Sequence, residues 1–325
     1  MGLLVKEKEV RIPQDPSVGE TVVWATALLK SSGVDTPRLD AECLLASVLG
    51  RDRLHLYAAA QERMPSPLLA VTRALLRRRQ TREPLAYLTG TKEFWSLSLR
   101  VTPAVLIPRP ETEILVETAL TRVKTLQAPV IADIGTGSGA VAVALAKTLT
   151  HARVYATEMS GRALEVAREN AGRHGVLGQI AFLQGNLLEP LCSRGLANQC
   201  DLMVSNPPYV ATGELAGLPP EVHYEPVEAL DGGPDGLHFH RRLIGGASAL
   251  LKRGGWLALE IAPGQGPALT RLLQDQGVFG EIEVTADLSG RERVIVACYT
   301  GPGFTGSRPS RGVGLSETAG RMHGA

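Results

Sequence analysis

Two hydrophobic periods divide this chain. From Ser17 to about Arg82, apolar residues recur at helical spacing. Val22, Val23, Ala27 and Leu28 make one stripe; Ala41, Leu44, Leu45, Val48 and Leu49 make another. Gly33 and Gly50 follow these runs as stop signals. Ser66-Pro67 predicts a further helix through Leu75 and Leu76, with Ser66 as N-cap and Pro67 as its first residue. Between Thr89 and Leu106 the period drops to two. Phe94, Ser96, Ser98 and Arg100 alternate there with Trp95, Leu97, Leu99 and Val101, as in a β-hairpin. The stretch Pro108-Arg109-Pro110-Glu111-Thr112-Glu113 then opens a helix from Ile114 to about Leu126.

After Pro129 short apolar runs alternate with helical patterns. The expected strands are Val130 to Ile134, Arg153 to Thr157, Ile180 to Gln184, Leu202 to Ser205, Trp256 to Ile261, Glu281 to Thr285 and Arg293 to Tyr299. Helices fit between most of them: Gly139 to Leu149, Gly161 to His174, Gly236 to Leu251 and Gln265 to Gln276. This alternation implies a parallel sheet with helices on both faces. The last two strands are joined only by residues 286–292, which predicts an antiparallel pair. The expected division is a helical domain over residues 17–86, a hairpin connector over 87–107, an α/β domain over 108–300 and a disordered tail over 301–325. Residues 1–16 read as a loose arm.

Composition narrows the class. The 325 residues are 44% hydrophobic with a mean hydropathy of +0.03, as in a globular protein. No run is long enough to cross a membrane, and the first nine residues mix charges where a signal peptide needs an apolar core. Lys6 stands where a myristoylation motif needs Ser or Thr. A net charge of +1 argues against a general polyanion binder. Cys43, Cys192, Cys200 and Cys298 include no CxxC pair, so reduced cysteines in a cytoplasmic protein and no metal are expected. His238 and His240 read as solvated or capping residues. Arg73, Arg77, Arg78, Arg79 and Arg82 read as a solvated helix face, with contact to an acidic or RNA-bearing partner as the alternative.

The candidate chemistry lies at strand ends. Asp133-Ile134-Gly135-Thr136-Gly137-Ser138-Gly139 follows the first α/β strand and opens a helix, a place where glycines let a ligand lie against backbone. The spacing alone fits either a dinucleotide or S-adenosylmethionine. Glu158, ending the second strand, can accept hydrogen bonds from ribose hydroxyls or serve as a helix N-terminal charge. Asn186, beside Leu187 after the third strand, can read an adenine edge or simply make a turn. Ser205-Asn206-Pro207-Pro208-Tyr209 ends the fourth. Two prolines stop the ladder and stiffen the loop, leaving the Pro207 carbonyl and the Asn206 side chain as acceptors for the two hydrogens of an NH2 group. Tyr209 offers a flat surface beside a planar substrate. Such a grip points a poorly nucleophilic amide nitrogen at a methyl donor, an in-line transfer that needs position and electrostatics more than a strong base.

Taken together, these residues resemble the HemK/PrmC family of protein-(glutamine-N5) methyltransferases. Besides Asn-Pro-Pro-Tyr and the glycine loop, the similar stretches are 106–113, Tyr87-Leu88-Thr89-Gly90 through Phe94-Trp95, Tyr224-Glu225-Pro226 and Ala229-Leu230-Asp231-Gly232-Gly233. The resemblance covers residues 17–300. It implies a seven-stranded, Rossmann-like class I S-adenosylmethionine methyltransferase domain behind a small helical substrate-recognition domain. It implies as substrate the glutamine in the Gly-Gly-Gln motif of class-1 peptide chain release factors. Gly135, Thr136, Gly137, Ser138, Gly139, Glu158, Asn186, Leu187 and Asn206 would hold the cofactor; Asn206, Pro207, Pro208 and Tyr209 would hold the glutamine, with Asn206, Pro207 and Tyr209 catalytic. Many relatives carry Asp at the positions of Glu158 and Asn186; Asn186 keeps an acceptor, so affinity should change more than activity.

Asn-Pro-Pro-Tyr is shared with DNA and RNA adenine or cytosine amino-methyltransferases. That reading expects a basic cleft and a target-recognition segment, against a nearly balanced charge here. A methyltransferase fold kept only as a binding module would show a decayed loop, whereas both motifs are intact.

Overall fold

The computed structural model of the chain describes residues 14–302. The readings made on the first nine residues, and nearly all of those on the N-terminal arm and the tail, fall outside the described residues.

The N-terminal helices are α1 (Val18–Ser31), α2 (Pro37–Leu49), α3 (Arg53–Ala58), α4 (Ser66–Gln80) and α5 (Leu85–Thr89). Ser17 and Glu20 form a reciprocal capping box at the start of α1. Leu29, Leu44, Leu45, Leu56, Leu69 and Leu76 meet in one core of their own. The start of α4 differs from expectation. Ser66 is already helical, Pro65 precedes it in extended conformation, and no side chain caps the end. Pro67 falls inside the first turn, where its missing N–H leaves no bond broken.

The arginine-rich end of α4 divides: Arg77 and Arg78 are exposed, as a solvated face expects, whereas Arg79 is not. Arg79 is buried and donates to Asp40 of α2 at 2.7 Å and to Glu221 of the C-terminal domain at 3.0 Å. Arg82 pairs with Glu221 and Asp35, and Arg78 with Glu83. Burial alone would raise the Glu221 carboxyl, but its bonds to Arg82 and Arg79 outweigh that and hold it below the usual carboxylate range. Arg73 and Arg77 make no ion pair among the described residues. Arg79→Ala is therefore expected to cost about 3 kcal/mol in urea unfolding, because it strands the buried Asp40 carboxylate. Arg79→Met combined with Asp40→Asn should cost much less; equal losses would mean that the charge itself is not what matters.

Strands β1 (Thr91–Phe94) and β2 (Leu97–Arg100) form the hairpin. Phe94 pairs with Leu97, so Trp95 and Ser96 make the turn instead of continuing the strand alternation. Both have φ near +55° (53° and 56°), as a two-residue turn of primed type demands. Glu113 accepts from the Trp95 N–H at 2.8 Å and holds the turn in place. The connector continues against α5: the Tyr87 hydroxyl donates to the Val105 carbonyl at 2.6 Å.

The α/β domain runs α6 (Thr112–Val123), β3 (Val130–Ile134), α7 (Ala140–Thr148), β4 (Arg153–Glu158), α8 (Gly161–Arg173), β5 (Ile180–Gln184), α9 (Glu189–Ser193), β6 (Cys200–Ser205), α10 (His238–Leu250), β7 (Leu251–Glu260), α11 (Gly266–Asp275), β8 (Phe279–Ala286) and β9 (Glu292–Tyr299). The strands form one seven-stranded sheet in the order β5-β4-β3-β6-β7-β9-β8. All neighbours from β5 to β7 are parallel, while β9 runs antiparallel to both β7 and β8. Helices α6 and α7 pack on one face, α10 and α11 on the other. The central strands are apolar on both faces, as a covered parallel sheet requires. Strand β7 starts five residues before its expected Trp256, because Leu251 pairs with Cys200 ahead of a register shift.

Order reverses between β3 and β6. Successive strands step outward to β5 on one side and to β7 on the other, so a crevice opens where α7 and the β6 loop diverge.

Candidate active site

The candidate residues line this crevice because of strand register. Ile134 lies opposite both Thr157 and Ser205, and Glu158 lies opposite Gln184. The loops that begin at Gly135, Glu158, Gly185 and Asn206 therefore leave four adjacent strands at one level. At ~4.8 Å per strand, they span about 14 Å.

The glycine loop is built to be approached. Gly135, Gly137 and Gly139 all have positive φ, at 72°, 54° and 81°. No atom lies within 4 Å of where a Cβ on Gly135 or Gly137 would stand, so that side is open. Gly139 instead lets α7 close on Ala167 of α8. The Thr157 carbonyl accepts from the Gly135 and Thr136 N–H groups, both at 2.9 Å, and fastens the loop to β4. The Thr136 hydroxyl donates to Asp133 at 2.6 Å. Burial pushes the Asp133 carboxyl up to about 6 against the pull of that hydroxyl. The Ser138 carbonyl accepts from Asn170 Nδ2 at 2.9 Å; Asn170 also bonds both backbone groups of Arg100, tying the hairpin to the loop.

Glu158 is half-buried beside the loop. One oxygen accepts from the Gly137 N–H and the other from the Ser160 N–H, each at 3.0 Å. Each oxygen keeps a lone pair for a hydroxyl. Asn186 donates one amide hydrogen to Glu189 at 3.1 Å, which leaves its carbonyl and its second amide hydrogen free. Leu187 follows with φ 48°, which turns the chain away from the strand.

The Asn-Pro-Pro-Tyr loop is anchored at both ends. The Ser205 hydroxyl donates to the Ile134 carbonyl at 2.7 Å, locking β6 to β3 just before Asn206. Asn206 Nδ2 donates to the Thr112 hydroxyl at the start of α6, at 3.2 Å. That leaves Asn206 Oδ1 as an uncommitted acceptor. Pro207 is buried and Pro208 half-buried. The Tyr209 hydroxyl donates to Glu260 at 3.2 Å, and burial next to that carboxyl pushes the phenol up, so it stays protonated. Val210 then pairs in parallel with Asp231, and Gly232 N–H donates to the Val210 carbonyl at 2.7 Å. The Ala229–Gly233 stretch is thus the backing of the loop.

Two segments far apart in sequence meet here. Glu225 is buried and accepts from the Ile107 N–H at 3.1 Å and from the Arg109 guanidinium. The 106–113 stretch is held over the site by the Tyr224–Pro226 stretch.

Three contributors escaped the sequence reading. Thr112 was inside a recognised stretch without a role. Glu260 sits in the apolar run Trp256–Ile261, and a lone acid inside a buried strand is itself a signal. His240 is buried rather than solvated, and its Nε2–H donates to the Glu260 carbonyl at 2.9 Å. Among the described residues, no group of three or more His, Cys, Asp or Glu side chains is placed to hold a metal.

Comparison with known proteins identifies the family. Residues 20–90 match the PrmC N-terminal domain and residues 110–217 the methyltransferase small domain. The chain is 46% identical to the release factor glutamine methyltransferase of Moorella thermoacetica over 273 residues, covering 84% of this chain and 95% of that relative. It is 42% identical to the one of Geobacter sulfurreducens over 284 residues, covering 87% and 97%. In fold it is similar to the hMettl16 catalytic domain solved with the MAT2A 3'UTR hairpin 6, with a TM-score of 0.53, 19% identity and coverage of 73% and 84%. With a glycine loop, an acid and Asn-Pro-Pro-Tyr aligned at one crevice, and identity of this order along nearly the whole of both relatives, the chain belongs to the release factor glutamine methyltransferase family of S-adenosylmethionine-dependent enzymes.

Proposed function

We propose that the chain methylates the side-chain amide nitrogen (N5) of the glutamine in the Gly-Gly-Gln motif of class-1 peptide chain release factors, in the cytoplasm. The observation that carries this reading is the Asn206 carboxamide: its Nδ2 donates to Thr112 and its Oδ1 is left without a hydrogen-bond partner, at the end of the strand that pairs with β3 just before the glycine loop. A planar NH2 group needs such an acceptor.

The open side of Gly135 and Gly137 and the unfilled lone pairs of Glu158 fit an extended nucleoside, so the residues present suit S-adenosylmethionine. When bound, it supplies an electrophilic methyl group on a sulfonium. Gly135 to Gly139 would cradle it, Glu158 would accept from its ribose, and Asn186 and Leu187 would flank the adenine. Asn206 Oδ1 and the Pro207 carbonyl would accept the two hydrogens of the substrate amide, letting charge build on nitrogen and aiming its lone pair. Pro208 stiffens the loop, and Tyr209 gives it an apolar wall. The helical domain over residues 17–86 would present the release factor to the crevice.

Incubation with labelled cofactor and a recombinant class-1 release factor is expected to place one methyl group on the motif glutamine, located by mass spectrometry. A factor with that glutamine replaced should stay unlabelled. Equal labelling of the replaced factor, or labelling of DNA instead, would overturn the reading.

A further inference from the structure

We propose that Thr112 and Glu260 are positioning residues that decide which edge of the Asn206 carboxamide faces the substrate. The inference deepens the function proposed above and rests on it for its kinetic readouts.

A carboxamide can sit in its slot two ways, with oxygen or NH2 outward. Only the first grips a substrate NH2; the second sets donors against donors. Something must select between them, and the register places a selector beside Asn206. Leu259 lies opposite Ser205, so Glu260 stands next to Asn206 on the adjoining strand. Glu260 is 1% exposed. Its Oε1 accepts from the Tyr209 hydroxyl, whereas Oε2 is buried with no hydrogen-bond partner in place. Thr112 is also buried, and its hydroxyl accepts from Asn206 Nδ2 at 3.2 Å.

A hydroxyl has one proton to give. While Thr112 Oγ1 accepts from Asn206, that proton must point elsewhere, and the partnerless Oε2 of the neighbouring Glu260 is the acceptor we assign to it. On that assignment the polarity runs one way: Asn206 gives to Thr112, Thr112 gives toward Glu260 Oε2, and Tyr209 gives to Glu260 Oε1. An ionised carboxylate only accepts, so it forces this polarity and leaves Asn206 Oδ1 outward. A protonated carboxyl can give to Thr112, whose own proton is then free to turn to Asn206 and favour the reverse.

The groups facing Glu260 are Glu111 and Thr112 from the entry to α6, Tyr209 from the β6 loop, Arg293 from β9 and His240 from α10, with Arg109 close to Tyr209. Burial pushes the Glu260 carboxyl up to about 7; Thr112, Tyr209 and Arg293 pull it down and Glu111 pushes it up. Turnover should then rise as pH passes through about 7, since the group must lose its proton to set the chain.

Glu260→Gln is the direct test. It keeps shape and is neutral in a buried slot, but puts an NH2 where an acceptor is needed. Expected are a kcat at least about tenfold lower, a cofactor Kd within about twofold and loss of the rise near pH 7. Thr112→Val should lose as much and Thr112→Ser should recover it. The double variant Thr112→Val/Glu260→Gln should be no worse than either single one, because both act through Asn206. A readout independent of substrate is the nuclear Overhauser contact between the Asn206 NH2 protons and the Thr112 methyl, expected in the wild type and lost in Glu260→Gln. If the wild-type chain labels no release factor, the substrate reading fails while this contact still decides the orientation. Wild-type kcat and pH profile in Glu260→Gln, additive losses in the double variant, or persistence of the contact would each overturn the proposal.

Discussion

Asn206→Ala is expected to lower kcat about 10²- to 10³-fold while leaving cofactor affinity within a fewfold. The side chain donates through Nδ2 to Thr112 and keeps Oδ1 uncommitted. On the proposed reaction, truncation removes an acceptor for a nitrogen that must gain charge in the transition state. A single preorganised group of that kind, in a site shielded from water, contributes a factor of this size. The glycine loop and Glu158 are held by β4 and by each other, through bonds that do not involve Asn206, so the cofactor pocket should survive. Single-turnover rates with saturating release factor, set beside calorimetric titration of the cofactor, separate the two effects. Full activity in the variant would remove Asn206 from the reacting site.

The second large effect is expected from a residue that touches no substrate. A Cβ on Gly232 would stand 2.8 Å from the Gly236 carbonyl oxygen and 2.8 Å from the Tyr209 Cα. Both are backbone atoms, and backbone cannot rotate aside as a side chain would. Gly232 also donates to the Val210 carbonyl and accepts from the His238 N–H, so it is fixed on both sides. Gly232→Ala must therefore push the Asn-Pro-Pro-Tyr loop off its backing. Overpacking of this kind costs about 1–3 kcal/mol of stability. The greater loss is in rate, since a shift of about 1 Å in a positioned group can cost on the order of 100-fold. A variant that folds, binds cofactor and turns over near the wild-type rate would show that the loop tolerates displacement.

Much of the fold could be read along the chain. Strands β3, β4 and β5 were found nearly to the residue, because each is a short apolar run ended by a turn residue. The helical stripes of α1 and α2 and the stops at Gly33 and Gly50 were equally plain, Gly50 being a left-handed C-cap. The misplaced features share one cause. Trp95 and Ser96 satisfy an alternating pattern yet form a turn, because Glu113 and Thr148, from α6 and α7, hold the Trp95 backbone and ring. The sequence pattern assigns Leu251 to the preceding helix, whereas its pairing with Cys200 of β6 makes it the first residue of β7.

The charged residues divide along the same line. From sequence, Arg79 looked like its neighbours Arg77 and Arg78, and Glu260 lay unremarked inside the expected strand Trp256 to Ile261. Their roles depend on partners remote in the chain: Glu221 lies 142 residues from Arg79, Thr112 lies 94 from Asn206, and Glu260 lies 51 from Tyr209. By itself the sequence determined the periods, the strand-helix alternation and the motifs at strand ends, since these are set by neighbours within a few residues. Only the tertiary structure decided the strand order that aligns those ends at one crevice, and which acids and hydroxyls are buried behind Asn206. A side chain's burial and hydrogen-bond partners are properties of the folded neighbourhood, and no local pattern encodes them.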